Sequence, residues 1–226
     1  LDDAKRLTDI GTLAASIAHE LRNPLGVIRI AAYNIRRKVK DDTCERSFNS
    51  IDRKIDESDQ IIRNLLSYAR VKKVDFNALP LKDIIQEGID QITQKHNRRE
   101  VRLECDLGCC EGVTLWGDRV SILELFFNLF DNAVQAYKDC DGVVKIKCKI
   151  DEARIVIEVV DCGEGMNDET LAKIYDPFFT KRTYGIGLGM SVCKKIVGLH
   201  GGRIDIESVE GEGTTVTVTL PMSPDE

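Results

Sequence analysis

Between Leu7 and Val39 the apolar residues fall at Leu7, Ile10, Ala14, Ile17, Leu21, Leu25, Ile28, Ala32, Ile35 and Val39, mostly three or four apart. That period matches the turn of an α-helix and predicts a long amphipathic rod with one stripe to bury. A polar break at Lys40, Asp41, Asp42 and Thr43 follows, and the period returns at Phe48, Ile51, Ile55, Ser58, Ile62, Leu65 and Ala69. Two long helices joined by a short polar turn make an antiparallel hairpin. A lone hairpin cannot cover both stripes, so the expected assembly is a homodimer whose two hairpins form a four-helix bundle. The competing arrangement packs the stripes onto the rest of the same chain.

Within the first helix the stretch Ser16 to Leu25 reads S-I-A-H-E-L-R-N-P-L. His19 lies off the apolar stripe, Asn23 stands one turn on along the same face, and Glu20 is beside His19. Pro24 removes a backbone donor and bends or loosens the helix just below the histidine. From these residues alone, His19 is either a surface imidazole near a tolerated proline or a titratable nitrogen presented on a rigid rod.

The helical period is lost over V-K-K-V-D-F-N-A-L-P, residues 71–80, which ends in proline. This predicts a helical domain at 1–71, a linker at 72–80 and a second domain at 81–226. The second domain should carry a helix from Leu81 to about His96 and short strands near Val101–Cys105 and Val113–Trp116. A helix capped by Asp118 should run to about Lys138. Neighbouring strands are expected at Val143–Ile150 and Arg154–Val160, with a closing hairpin at Ile204–Ser208 and Thr214–Leu220. Strands joined mostly by hairpins and interspersed with helices favour an α/β sandwich, a mixed sheet covered by helices on one face, over a doubly wound parallel fold.

A formal net charge of −6 across 226 residues, with no basic stripe, argues against nucleic acid as a partner. The dense basic run Arg36, Arg37, Lys38 and Lys40 sits near the end of the first helix, where cations suit the helix dipole. No apolar run is long enough to cross a bilayer, so the segment as given is expected to be soluble, with no direct membrane contact. It starts at Leu1, already inside a helical pattern, which suggests a piece of a longer protein. Of the eight cysteines, Cys105, Cys109 and Cys110 form C-x3-C-C and the rest are scattered, with no C-x2-C pair. Reduced, mostly buried thiols are therefore expected, and not a zinc site.

Four stretches of the second domain carry chemistry. Glu124, Asn128 and Asn132 stand at i, i+4 and i+8, a polar line of oxygen donors suited to hydrated Mg²⁺ beside phosphates; a polar surface face would explain them equally. Asp161-Cys162-Gly163-Glu164-Gly165 follows an apolar strand, where a carboxylate can accept from an exocyclic amine and Gly163 and Gly165 let backbone approach a flat ring. Asp176-Pro177-Phe178-Phe179 leads into the polar, cationic loop containing Lys181 and Arg182. Gly185-Ile186-Gly187-Leu188-Gly189 then opens a helix, offering backbone N–H groups and a positive dipole end to phosphates. It follows no strand and lacks the Lys-Ser/Thr of a P-loop, so the dinucleotide-binding and Walker readings both fail. One pocket could take a base at Asp161, a metal at Asn132 and phosphates at the Gly185 loop.

Taken together, these stretches resemble the cytoplasmic core of a two-component sensor histidine kinase. His19 to Leu25 is similar to that family's phosphoacceptor box, Asn128-Leu129-Phe130-Asp131-Asn132-Ala133 to its asparagine box, and Asp161 to Gly165 to its first glycine box. Phe178-Phe179 resembles its aromatic box and Gly185 to Gly189 its second glycine box. The resemblance implies a dimerisation and histidine phosphotransfer domain joined to a GHKL-type (Bergerat) ATP-binding domain, the fold of gyrase, Hsp90 and MutL ATPases. It implies that Asp161, with Gly163 and Gly165, reads adenine and that Asn128 and Asn132, with Glu124 nearby, contact Mg²⁺ and phosphates. Phe179, Lys181, Arg182, Gly185, Gly187, Leu188 and Gly189 would belong to a short mobile lid.

Many members carry a basic residue three places after the second asparagine; here that place is Gln135, and Lys181 or Arg182 is left to supply the charge. The implied reaction is phosphorylation of His19 by ATP, with Glu20 as base, and transfer to an aspartate of a response regulator; Asn23 is a candidate for regulator dephosphorylation. Two rivals are a GHKL-type ATPase that activates water through Glu124, and a non-catalytic dimeric adaptor.

Overall fold

A computed structural model describes residues 21–38, 42–69, 75–96, 101–137, 140–181 and 187–223. The chain divides into a helical unit containing the N-terminal hairpin and a second unit made of Lys73–Phe179 and Gly189–Glu226.

In the helical unit, α1 (described over 21–36) contains Pro24 within its helical run, and α2 spans Asp42–Ala69. Ala32 of α1 and Phe48, Ile55 and Ile62 of α2 are buried. The last three are seven residues apart, so they fall on one side of the helix. Arg29 reaches Asp56 at 2.6 Å, while Arg36 grips Glu45 through two nitrogens at 3.1 and 2.6 Å. Residue numbers rise on one helix as they fall on the other, the expected antiparallel hairpin. Exposed ion pairs of this kind contribute little, so they select register more than they stabilise. Leu21, Ile28 and Ile35, also seven apart, remain 45%, 49% and 52% exposed.

The second unit begins earlier than the sequence suggests. Asn77–Pro80, expected to be linker, is strand β1, and it pairs antiparallel with β3 (Thr114–Gly117). Only Leu79 of its four residues is buried, so no alternation marks it. Pro80, which lacks an N–H, ends the strand and leads directly into α3 (Leu81–Lys95).

The main sheet has the order β2-β4-β5-β7-β6. Its strands are β2 (Val101–Asp106), β4 (Gly142–Asp151), β5 (Arg154–Asp161), β6 (Arg203–Val209) and β7 (Gly213–Pro221). Edge strand β2 runs parallel to β4 and every other pairing is antiparallel, a mixed sheet as expected. Helix α4 (Arg119–Gln135) and helix α6 (Gly189–Leu199) pack onto it, and α3 packs against α4. Ile146, Ile155, Ile157, Val218 and Leu220 of the strands and Ile122, Leu125, Phe126, Leu129 and Phe130 of α4 are all buried and form the core of this unit. The short α5 (Asp168–Lys173) is capped by Asn167, whose side chain accepts from the Thr170 N–H at 3.1 Å.

Asp118 caps α4 as its sequence position suggests, accepting from the N–H and hydroxyl of Ser121 at 2.8 and 2.7 Å. The Asp118 N–H in turn donates to His200 Nε2 at 3.0 Å, and His200 Nδ1–H donates to the Ile196 carbonyl at 2.8 Å. These partners hold one neutral tautomer of an imidazole that is 3% exposed, so His200 is a structural residue.

The cysteines correct an expectation. Only Cys110 and Cys193 are buried; Cys44 and Cys148 are half-buried, and Cys105, Cys109, Cys140 and Cys162 are exposed. Cys105 lies on the edge strand, and Cys109, Cys140 and Cys162 lie in connections, positions a sheet core does not cover. Among the described residues no helix is long and apolar enough to cross a membrane.

Candidate nucleotide-binding site

Helix α4 is apolar on most of its circumference because it is wedged between α3, α6 and the sheet. Its polar line is the exception. Asn128 is only 7% exposed, and half-buried Asn132 directs Nδ2 to the Met190 sulfur at 3.3 Å. A β-carbon placed on Gly189 would stand 3.5 Å from Asn128 Oδ1 and 3.8 Å from Asn132 Nδ2. The first residue of α6 therefore lies beside both amides, and the orphan N–H groups of that helix end are brought to the asparagine face. Half-buried Glu124 lies one turn before Asn128 on the same side. Amide and carboxylate oxygens in this line are the hard donors a hydrated Mg²⁺ takes, so the residues fit that ion. Cys193 lies behind them; burial first, and the charge of Glu124 second, push its thiol well up, which leaves it inert.

The other end of the same face meets the loop after β5. Asp161 is 7% exposed and its Oδ1 accepts from the Gly163 N–H at 2.9 Å, which fixes the carboxylate. A β-carbon on Gly163 would lie 2.5 Å from Ala136 Cβ and 2.7 Å from the Ala136 carbonyl oxygen, and the Glu164 N–H donates to that carbonyl at 3.1 Å. The loop is thus docked on the C-terminal end of α4. Asn128, Asn132 and Ala136 are successive turns of one face, so Asn128 and the loop are separated by roughly 12 Å of helix. A base held by Asp161 and phosphates held by the asparagines and Gly189 would lie end to end along α4.

Two positioning residues escaped the sequence reading. The Tyr137 hydroxyl donates to the Val143 carbonyl at 2.7 Å and accepts from the Cys162 N–H at 2.8 Å, tying α4 to the start of the loop. Gly213, which reads as an ordinary hairpin glycine, has φ +123, and its β-carbon would fall 2.1 Å from the Asp161 carbonyl oxygen. Tyrosine at a helix end and glycine at a hairpin carry no local signal for such contacts, because the partners are brought up by strand pairing.

The structure thus brings together Asn128, Asn132, Asp161, Gly163, Gly165 and Gly189, with Glu124 on the same helix face. Phe179 is half-buried; Phe178 is exposed at φ +69, a conformation rare for an aromatic residue. Lys181 is exposed, Gly187 has φ +69 and Leu188 is buried. Asn23 is exposed on α1. His19, Glu20, Arg182 and Gly185 lie outside the described residues.

Gln135 is held away from the asparagine line. Its Nε2 donates to Asp131 Oδ2 at 2.6 Å, while Lys95 and His96 donate to Asp131 Oδ1 at 2.9 and 2.7 Å. Burial pushes the Asp131 carboxyl upward, but the His96 hydrogen bond and the Lys95 charge outweigh it and hold the group at about 2. A carboxyl whose folded value is depressed stabilises above its unfolded value, near 3.9, and loses that contribution as pH falls through the folded value. The contribution, about 2 kcal/mol, is complete near neutrality and disappears between roughly pH 4 and pH 2. Denaturant unfolding should therefore show Asp131→Asn destabilised at pH 7, with the difference from wild type shrinking below pH 4.

Comparison with known proteins adds to this geometry. Residues 117–224 match the family described as Histidine kinase-, DNA gyrase B-, and HSP90-like ATPase. Residues 9–73 match the His Kinase A (phospho-acceptor) domain. The chain is 34% identical over 222 residues to sporulation kinase D of Bacillus subtilis, covering 98% of this chain and 44% of that protein. The catalytic domain of histidine kinase ThkA is 30% identical with a TM-score of 0.58, covering 66% of this chain and 97% of that one. ThkA in complex with the response regulator protein TrrA is 26% identical with a TM-score of 0.66, covering 98% of this chain and 64% of that one. The chain spans less than half the length of the first curated relatives it matches.

Proposed function

Because this chain belongs to the sensor histidine kinases, we propose that it binds ATP along α4, phosphorylates His19 and passes the phosphoryl group to an aspartate of a response regulator. The observation that carries the nucleotide half is the line Glu124, Asn128 and Asn132 on α4, with Gly189 at one end and the Asp161 loop at the other. Asp161 is assigned to the exocyclic amine of adenine, Gly163 and Gly165 to close approach of backbone to the ring, and Asn128, Asn132 and Gly189 to the phosphates. Asn132, with Asn128 and Glu124, would hold Mg²⁺, which when bound offsets phosphate charge. Phe179, Lys181, Arg182, Gly185, Gly187 and Leu188 are assigned to a lid over the phosphates, with Lys181 and Arg182 replacing the cation that Gln135 does not provide.

In the transfer step a neutral ring nitrogen of His19 attacks the γ-phosphorus. The P–N bond forms as the bond to the bridging oxygen breaks, ADP departs with that oxygen, and the proton on the other ring nitrogen goes to Glu20. Glu20→Gln should leave ATP affinity unchanged and slow phosphorylation by roughly 10²-fold or more, the ordinary value of a positioned base. An unchanged single-turnover rate would remove Glu20 from this role. Asn23, one turn below His19, is assigned to orienting water at the regulator's phospho-aspartate. Dephosphorylation assays with Asn23→Ala test that assignment, and an undiminished rate would end it.

The acting form is proposed to be a homodimer. The seven-residue repeat of exposed Leu21, Ile28 and Ile35 supports this, since a second hairpin would cover a stripe that α2 leaves open. The chain is proposed to act in the cytoplasm, where ATP and its receiver partner meet it.

A further inference from the structure

The sulfur atoms of Cys109, Cys110 and Cys148 all lie within 4.8 Å of one another. Cys109 and Cys110 end the 3-10 turn Gly108–Cys110 between β2 and β3, whereas Cys148 stands on β4, so no motif spacing in the sequence joins them. Cys109 Sγ is 3.9 Å from Cys110 Sγ and donates to the Cys148 carbonyl at 2.8 Å. Cys110 is buried, Cys148 half-buried and Cys109 exposed, which makes a cluster with a closed floor and an open mouth. It is remote from the nucleotide site: Cys148 pairs with Ile157, four residues along β5 from Asp161, a separation of roughly 13 Å.

Burial pushes the Cys110 thiol up to about 11 and raises Cys148 as well, so both are protonated near neutrality. Protonated thiols attack disulfides and oxidants poorly, and a metal ion that binds here must displace the same protons. Three sulfurs converging on one point are the donor set of a soft d¹⁰ cation.

We propose that Cys109, Cys110 and Cys148 form a binding site for one thiophilic d¹⁰ metal ion, Cu(I) or Zn²⁺, which ties the turn before β3 to strand β4. Each sulfur that ligates releases its proton to solvent as the S–metal bond forms, and no electron is transferred. Cu(I) is satisfied by thiolates alone; Zn²⁺ takes an oxygen ligand such as water to complete four. This site does not depend on the phosphotransfer reading, and its test reads metal and not phosphate.

The reduced, metal-free chain is titrated with Cu(I) and, separately, with Zn²⁺, each against a competing chromophoric chelator. Co²⁺ serves as a spectroscopic stand-in for Zn²⁺. The expected result is one equivalent of at least one ion per chain, a raised thermal midpoint, and, where Zn²⁺ binds, a thiolate-to-cobalt charge-transfer band. Stoichiometric binding should be lost in Cys109→Ser, whose exposed position spares the fold, and retained in Cys44→Ser on α2. Failure of both ions to bind stoichiometrically would overturn the proposal. So would binding that survives Cys109→Ser and Cys148→Ser combined, or binding lost in Cys44→Ser.

Discussion

With Asp161 as the proposed partner of the adenine amine, Asp161→Asn should lower ATP affinity by roughly a hundredfold while leaving the second unit folded. The carboxylate already serves the Gly163 N–H through Oδ1. Asparagine keeps one oxygen for that bond and turns its NH₂ toward the base. A donor then faces the exocyclic amine of adenine, itself a donor, in a position only 7% exposed. Losing a hydrogen bond to a charged acceptor and leaving a buried donor unpaired together cost about 3 kcal/mol. The same NH₂ is complementary to the carbonyl of guanine, so the preference for ATP over GTP should fall along with affinity. Calorimetric titration with both nucleotides measures the two effects, and a thermal melt shows whether the fold persists. Unchanged ATP affinity would remove the base from Asp161.

Gly165→Ala should abolish nucleotide binding by moving the loop itself. Gly165 has φ +61, and its β-carbon would stand 1.9 Å from the Val209 carbonyl oxygen, too close for any side-chain adjustment to relieve. The loop is pinned to the β6–β7 hairpin at two points. The Gly211 N–H donates to the Glu164 carbonyl at 2.8 Å, and the Met166 N–H donates to Ser208 Oγ at 2.9 Å, a hydroxyl that the hairpin itself orients through the Gly213 carbonyl. Alanine forces loop and hairpin apart and breaks these together. Gly211→Ala is the informative control. Its φ is +85, but nothing lies within 4 Å of its β-carbon, so it carries only the left-handed backbone cost of about 1–2 kcal/mol. Gly211→Ala should keep ATP binding and Gly165→Ala should lose it.

The parts of this molecule that are local in sequence were legible there. The hairpin helices follow from the three-and-four spacing of their apolar residues, and the cap at Asp118 follows from its place before an apolar helix. Asn128 and Asn132 share a face because residues four apart must. What depends on partners from elsewhere in the chain was not legible. Strand β1 hides in N-A-L-P because pairing with β3 defines it, not alternation. The parallel placement of β2 beside β4 follows from no hairpin. Gly213 meets Asp161 only because β5 and β7 pair. The three-thiol cluster draws Cys148 from a strand far along the chain from Cys109 and Cys110, and the spacing rules for metal sites cannot register that. His19 and Glu20 lie outside the described residues, so their roles rest on the phosphoacceptor-box match and on the nucleotide site downstream.

The measurement that bears most directly on this account is labelling with ATP radioactive at the γ-phosphate, comparing the wild-type chain with His19→Gln. An acid-labile, base-stable phosphoprotein is expected in the wild type and none in His19→Gln, with equal ATP affinity in both. Label that persists in His19→Gln, or ATP turnover without any phosphoprotein, would contradict it.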